Sequence, residues 1–307
     1  MAGGGLPEVG MSAPVTMFRV QNAFLLGAYG ECVECADKFV AGNEGEAGMC
    51  EFYKLRSQVA MGEYTAVIDS MSSTSSVGAQ GVRMLAAYLR DGSEAVLGDV
   101  KGMLADPACA GNSEFKLMAG EIYMAAGDPG ACLQATHSGE TLELRLASTM
   151  AYLSMLRVDL AEREAERMGE EEDDATATQL AHAYVDMRRG GRHIRDAFHA
   201  FQEIGGKYTM SAKLLAAMGA CSILLNNFEE AEGFLLEALE DDPKNSSVLA
   251  NLVVNSIHMG KPQAAIDAAL ADLERVDPGH ALLEKRKTIK AEFAQANAWL
   301  AQQQPQR

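Results

Sequence analysis

The sequence has few aromatic residues and almost no stretches in which β-branched residues alternate with polar ones. Aromatic residues make up only 6% of the 307 positions, and period-two alternation is the pattern that indicates a half-buried strand. Ala, Leu, Met and Glu take their place, and these are strong helix formers. Since 48% of the residues are hydrophobic, the chain can bury a large core. The composition therefore predicts an all-α protein.

Positive charge is also scarce. The 26 Lys and Arg residues face 43 Asp and Glu residues, so the formal net charge is −17. Nucleic-acid binding draws most of its affinity from cations that neutralise phosphates, and anionic membrane surfaces attract the same kind of patch. We therefore expect no nucleic-acid partner, while the charge favours solubility.

No apolar run approaches the roughly 18 residues that a membrane-spanning helix needs. The segment 1–14 has neither the basic flank nor the apolar centre of a secretory signal, and its Gly and Pro content predicts disorder. We expect no direct membrane insertion and a cytoplasmic location. Free thiols are the expectation for all six cysteines in such a chain.

The residue sets that carry chemistry are missing as well. The sequence contains neither a phosphate-binding Gly-x-x-x-x-Gly-Lys-Ser/Thr loop nor a zinc-binding His-Glu-x-x-His pair. Cys32 and Cys35 have a metal-like spacing, but a zinc site needs about four ligands and no second such pair exists. Core packing is the better interpretation of these two cysteines. We expect no catalytic residues, no cofactor and no metal, and hence no enzyme.

Helix-breaking points recur along the chain, with seven successive intervals of 30 to 35 residues. Most are Gly or Asn, which tolerate the left-handed conformation that ends a helix. A repeat of this length predicts stacked pairs of antiparallel helices, because one pair alone cannot bury its apolar face. The predicted turns are Gly27, Gly62, Gly92, Gly127, Arg157, Gly191, Asn226 and Gly260.

These turns predict a solenoid of about eight helix pairs over residues 15–300, followed by a flexible tail at 301–307. The last helix, from Leu282 to Leu300, differs from the repeats and is predicted to cap the solenoid. Its apolar positions on one face are Leu282, Ile289, Phe293, Ala296 and Leu300. The rhythm breaks at 187–195, where the turn is about four residues too long. The acidic run 169–174 is interpreted as a solvated loop or a helix end.

The unit from Ala212 to Pro243 resembles a tetratricopeptide repeat, through small residues and a proline at the family's positions: Gly219, Ala231, Ala238 and Pro243. In that family, five positions of each unit's first helix face the concave side. Of 25 such positions mapped over five units, 18 are apolar, which favours a seat for a permanent partner. The alternative is that these residues are ordinary core. The candidate partner-binding residues are Phe52, Val59, Val82, Leu89, Leu117, Met124, Ala216, Ala220, Ile223, Ala250, Val254 and Ile257.

Three stretches, 18–29, 196–203 and 249–262, resemble the epsilon subunits of coatomer. The resemblance implies a non-catalytic scaffold subunit of the COPI vesicle coat, peripheral on Golgi membranes, that serves Golgi-to-ER retrograde and intra-Golgi transport. It implies an obligate partner, the C-terminal domain of the coatomer alpha subunit, with the other coatomer subunits bound indirectly. It also implies repeats that close into a bracelet around a hairpin of that partner.

The second hypothesis is a chaperone-type tetratricopeptide adaptor that binds peptide segments. Such repeats grip a C-terminal carboxylate with a Lys and an Asn on the first helix. The family pattern places Ala216 and Ala220 at those positions, and neither side chain can bind a carboxylate. Asn251 falls at a later clamp-like position, but a single match is weak support.

Overall fold

The computed structural model describes residues 15–70 and 76–303. Within those ranges every regular element is a helix, so the all-α prediction is confirmed. The prediction of a disordered segment at 1–14 lies outside the described residues, as do residues 304–307.

The chain separates into two compact units, Met1–Arg189 and Gly190–Arg307, here called unit 1 and unit 2. The division falls in the turn at 187–195, where the sequence rhythm breaks. Unit 1 contains α1 (Met17–Leu26), α2 (Tyr29–Lys38), α3 (Glu44–Ala60), α4 (Tyr64–Ser70), α5 (Val77–Asp91), α6 (Glu94–Ala105), α7 (Pro107–Ala110), α8 (Ser113–Ala125), α9 (Pro129–Thr136), α10 (Leu142–Ser154), α11 (Val158–Glu172) and α12 (Thr176–Arg189). Unit 2 contains α13 (His193–Lys207), α14 (Ala212–Leu224), α15 (Phe228–Asp241), α16 (Ser246–His258), α17 (Gln263–Val276) and α18 (Ala281–Gln303).

The first helix of most hairpins begins at a polar cap. In each of these helices, the side chain of the residue before the first turn accepts a hydrogen bond from a backbone N–H three residues later. Such a cap satisfies an N–H group that otherwise has no partner, and it stabilises a helix by about 1 kcal/mol. The capping residues are Thr16, Asn43, Ser76, Asn112, Thr141, Ser211 and Asn245.

The predicted turns are confirmed at seven of the eight places, where the named Gly or Asn has a positive φ. The exception is Arg157, which lies one residue too late: the left-handed residue is Leu156, with φ 60°, whereas φ of Arg157 is −93°. The second helix of that hairpin begins at Val158, two residues after the left-handed one. The same interval separates Gly27 from the start of α2.

Leu156 combines two unfavourable features, because it is a large apolar residue that is exposed and left-handed. We expect Leu156→Gly to raise the free energy of unfolding by about 0.5–1 kcal/mol, since Gly adopts this conformation without steric cost. Urea denaturation followed by circular dichroism measures this. Asn226→Gly is the matched control and should change less, because Asn tolerates positive φ. A clear loss of stability in Leu156→Gly would contradict the strain argument.

Gly219 shows why the repeat needs a small residue near the middle of its first helix. A Cβ atom added there would lie 2.9 Å from the Cγ and Cδ2 atoms of Leu235 on α15. The absence of a side chain lets α14 and α15 approach closely, so the side chain of Leu235 is completely buried.

Unit 1 closes on itself. The first helices of its hairpins contact one another in the order α1, α3, α5, α8, α10 and α12, and α12 contacts α1. At this junction the Thr176 hydroxyl donates a hydrogen bond to Oδ1 of Asn22, at 2.5 Å. Leu25 of α1 packs against the apolar cluster that includes residues of α11 and α12. The inner helices of unit 1 therefore form a closed ring.

The last helix, α18, covers the end of unit 2, as predicted, but only through its N-terminal part. Among the side chains of α18 that the structure describes, those of residues 281–299, Leu283 is the one that is buried; it packs with the half-buried Leu282 on the cluster formed by α16 and α17. In the second turn, the half-buried Arg286 pairs with Asp267 of α17 at 3.7 Å. The helix also continues to Gln303, into the segment predicted as a flexible tail, because Ala and Gln favour helix.

Candidate protein-interaction surface

The candidate residues of unit 1 divide into two groups. Phe52, Val59, Val82 and Leu117 are buried in the apolar core of the ring, while Met124 is half-buried and Leu89 is exposed. Ring closure brings the inner helices toward one another, so the four buried side chains pack against other side chains of unit 1. They match the alternative of ordinary core. Partner contact by the predicted set as a whole stays a prediction.

A buried arginine occupies the interior of this ring. Arg56 of α3 is only 5% exposed, and its guanidinium pairs with Glu121 of α8 at 2.6 Å and with Glu143 of α10 at 3.0 Å. The same guanidinium lies 4.0 Å from the ring centroid of Phe24 on α1, within cation–π distance. One side chain therefore contacts four inner helices, counting its own.

The surroundings of Arg56 perturb nearby ionisable groups. Burial alone lowers the pKa of Arg56, but the charges of Glu121 and Glu143 raise it above its usual value. Burial and the charge of Glu143 hold the pKa of Tyr53 well above its usual value, and the Tyr53 hydroxyl donates a hydrogen bond to that carboxylate. Burial, with the Glu143 charge adding to it, also raises the pKa of Glu114. The ring interior is an ion-paired core that has no need of a bound partner to neutralise Arg56.

The unit 2 candidates lie on two neighbouring helices, α14 and α16, which contact each other. Ala250 is buried. The remaining five form what we call the unit 2 inner face: Ala216, Ala220, Ile223, Val254 and Ile257. The first four are half-buried and Ile257 is 55% exposed. Ala216 and Ile223 also pack against the apolar core of unit 2, so the core holds this part of the face in place.

The polar groups around this face do not make a carboxylate clamp. Asn251 of α16 is half-buried, while the alanines at 216 and 220 have no polar group to offer. The exposed His258 stacks flat on Phe228, with the ring centroids 5.1 Å apart. The five residues of the face are apolar, and the polar Asn251 and His258 lie on the same helix as Val254 and Ile257; apolar residues accompanied by polar ones are usual in a protein–protein interface.

All six cysteines are free and buried. Cys32 and Cys35 belong to the core of unit 1, so the packing interpretation of this pair is confirmed. Among the described residues, no group of three or more His, Cys, Asp or Glu side chains is placed to hold a metal ion. In the same part of the chain, no helix is both long and apolar enough to cross a membrane.

The thiols should be slow to react in the native chain. Burial raises the pKa of Cys32 and Cys132 to about 11 and that of Cys221 to about 12, which keeps the reactive thiolate scarce at neutral pH. Titration with a thiol-specific reagent at pH 8 is expected to show little native reaction. After unfolding without reductant, it should show six thiols per chain. Several fast-reacting native thiols, or fewer than six on unfolding, would contradict this.

Comparison with known proteins decides the family. The sequence pattern of the coatomer epsilon subunit family matches residues 13–300. The chain belongs to the coatomer epsilon subunit family. It is 35% identical to coatomer subunit epsilon-1 of Oryza sativa subsp. japonica, over 93% of this chain and 98% of that protein. It is 33% identical to coatomer subunit epsilon-1 of Arabidopsis thaliana, over 93% and 97%. The likeness extends to coatomer subunit epsilon of Dictyostelium discoideum, at 26% identity over 86% and 91%.

Among solved structures, the fold is similar to a chain in the crystal structure of the APC/C hetero-tetramer Cut9-Hcn1. The TM-score is 0.61 with 13% sequence identity, and the match covers 87% of this chain and 53% of that one. At this identity the match shows the fold alone. Together with the seven pairs of helices that form contacting hairpins within the described parts of the two units, it confirms a tetratricopeptide-like helical architecture in this epsilon family member.

Proposed function

We propose that the chain is the scaffold subunit that holds the C-terminal domain of the coatomer alpha subunit, and that the unit 2 inner face is the seat. The coarser part of this statement follows from the family. Coatomer epsilon subunits are structural components of a multi-subunit coat and not enzymes, so the expectation of a non-catalytic protein is confirmed.

The observation that supports the seat is the exposure of apolar side chains on two adjacent, well-supported helices. Ile257 is exposed, and Ile223 and Val254 are partly exposed beside it. Leu224 at the end of α14 is also exposed. Exposed apolar side chains on neighbouring helices are a liability in a free monomer and are typical of an interface. Obligate interfaces are more apolar than transient ones, which fits a permanently bound subunit.

Unit 1 has a different part in this proposal. Its inner helices close into a ring that is filled by its own side chains and by the Arg56 ion pairs. The apolar side chains of the ring pack on one another, and the charge of Arg56 is paired within it. Unit 1 therefore serves as a scaffold, and the binding of the alpha subunit is assigned to unit 2.

The place of action follows from the proposed partner. Bound to the alpha subunit, the chain acts on the cytoplasmic side of Golgi membranes and COPI-coated vesicles, as a peripheral component. Its role there is to support Golgi-to-ER retrograde and intra-Golgi transport. These statements rest on the family membership and on the proposed partner.

Size-exclusion chromatography with light scattering tests the proposal. The purified chain mixed with the C-terminal domain of the alpha subunit is expected to elute as a single 1:1 complex that survives dilution to nanomolar concentration. A peptide that ends in a free carboxylate, of the type held by chaperone adaptors, should not displace the domain. Separate elution of the two proteins, or displacement by the peptide, would refute the proposal.

A further inference from the structure

The exposed part of α18 carries large apolar side chains that neither the fold nor the proposed function uses. Every residue from Lys287 to Trp299 is exposed. Ile289, Phe293 and Trp299 are 63%, 68% and 60% exposed. The helix has 23 residues, and at 1.5 Å per residue the part beyond Arg286 extends about 25 Å.

The exposed apolar side chains of α18 do not stabilise the isolated chain. Large apolar side chains left in water forfeit about 1.5–3 kcal/mol each relative to burial. A helix that is solvated on all sides is marginal, because most helical stability in proteins comes from packing one apolar face. Three such side chains on one extension indicate a surface that becomes buried in a complex.

The spacing of the side chains shows what kind of surface would cover them. Counting from the half-buried Leu282, the positions at successive intervals of four, three, four and three residues form one stripe along the helix. This alternation is the heptad spacing of a helix that packs against another helix. The stripe consists of Leu282, Arg286, Ile289, Phe293 and Ala296.

Charges beside the stripe indicate the sign of the partner. In the heptad frame, Lys285, Lys290 and Glu292 stand at the positions that flank the apolar seam, where charges of the facing helix come close, and the net charge of these three residues is positive. Neither lysine has an ion pair in the part of the chain that the structure describes. The net charge of the chain is −17, so exposed lysines beside an apolar seam are a local exception. They are complementary to acidic flanking residues on another helix.

A second copy of the same helix fits less well. In a parallel pair, Lys285 of one copy faces Lys290 of the other. In an antiparallel pair centred on the exposed part, Lys290 meets Lys290 and Glu292 meets Glu292. Like charges in these positions disfavour either pairing.

We infer that residues 285–299 of α18 form a docking helix for an acidic amphipathic helix of another protein, which packs apolar side chains on Ile289 and Phe293. The surface is distinct from the unit 2 inner face, and occupancy of one does not depend on the other. The partner helix carries apolar residues at heptad spacing and Glu or Asp at the flanking positions.

Trp299 supplies a direct readout, because it is the only tryptophan in the chain. The full-length protein is titrated with a designed peptide of about four heptads that has Leu at the seam and Glu at the flanking positions. The matched peptide has Lys at the flanking positions. The acidic peptide is expected to shift the Trp299 emission to shorter wavelength in a saturable, salt-sensitive way, and the basic peptide is expected to bind at least ten-fold more weakly.

Three variants show whether the peptide binds specifically to α18 or to exposed apolar residues in general. Ile289→Gln combined with Phe293→Gln should weaken the acidic peptide at least ten-fold while leaving the melting temperature unchanged, because both side chains are exposed. Lys285→Glu combined with Lys290→Glu should reverse the preference between the two peptides. Leu236→Gln, at an exposed leucine on α15, is the matched control and should bind like the parent.

Four results would overturn the inference. They are no saturable response to the acidic peptide, an equal response to both peptides, and a concentration-dependent dimer in sedimentation that shifts the Trp299 emission without peptide. The fourth is a shift with vesicles of phosphatidylserine and phosphatidylcholine but none with peptide. The third result would assign the surface to a second copy, and the fourth to a lipid surface.

Discussion

Replacing Arg56 with Ala is expected to lower the free energy of unfolding by about 3–5 kcal/mol. The change leaves the carboxylates of Glu121 and Glu143 without their cation inside the ring of unit 1. It also removes the guanidinium that packs on Phe24. Urea denaturation followed by far-ultraviolet circular dichroism measures the loss of stability. A loss of about 3 kcal/mol is expected if water solvates the unpaired carboxylate of Glu121, which is partly exposed.

Two variants show whether the loss comes from unpaired charge. Arg56→Met combined with Glu121→Gln and Glu143→Gln should recover much of the stability, since a neutral, well-packed core can replace a buried ion pair. Arg157→Ala removes an arginine whose pair with Asp159 lies at the surface, and it should leave the unfolding midpoint within error. Equal effects of Arg56→Ala and Arg157→Ala would show that the ion pairs do not hold the ring.

Ala220→Arg combined with Ile257→Arg is expected to weaken binding of the alpha subunit's C-terminal domain at least 100-fold, which corresponds to about 3 kcal/mol. The complex would bury two cations without partners, and that is costly. The isolated chain should keep its helicity and melting temperature, because these side chains are half-buried and exposed. Isothermal titration calorimetry measures the affinity.

The matched control for this pair is Leu236→Arg, on the second helix of the same hairpin. It introduces the same charge at an exposed leucine outside the inner face and should bind the domain like the parent chain. If the double variant unfolds, or binds at full strength, the assignment of the inner face is wrong.

Much of the local structure could be predicted from the sequence. Gly27, Gly62 and Asn226 end helices because their conformational freedom is a local property. The turn at Leu156 could not be located by residue type, because a leucine does not indicate a positive φ. Only the interval to the next helix reveals this turn.

Long-range features could not be predicted in this way. Thr176 and Asn22 are 154 positions apart, so the closure of unit 1 depends on how much each hairpin rotates against the next. Arg56 and Glu121 are 65 positions apart, and their pairing across the ring follows only from that closure. The sequence predicts an apolar face on α18, but the exposure of Ile289 and Phe293 depends on which turn of the helix meets unit 2.

Site-specific photo-crosslinking in the assembled complex tests most directly whether the unit 2 inner face holds the alpha subunit. A photoreactive amino acid is placed at Ala220 in one preparation and at Leu236 in another. The account predicts that position 220 crosslinks to the C-terminal domain of the alpha subunit and that position 236 does not. Crosslinks to that domain from position 236 alone, or from neither position in an intact complex, would contradict it.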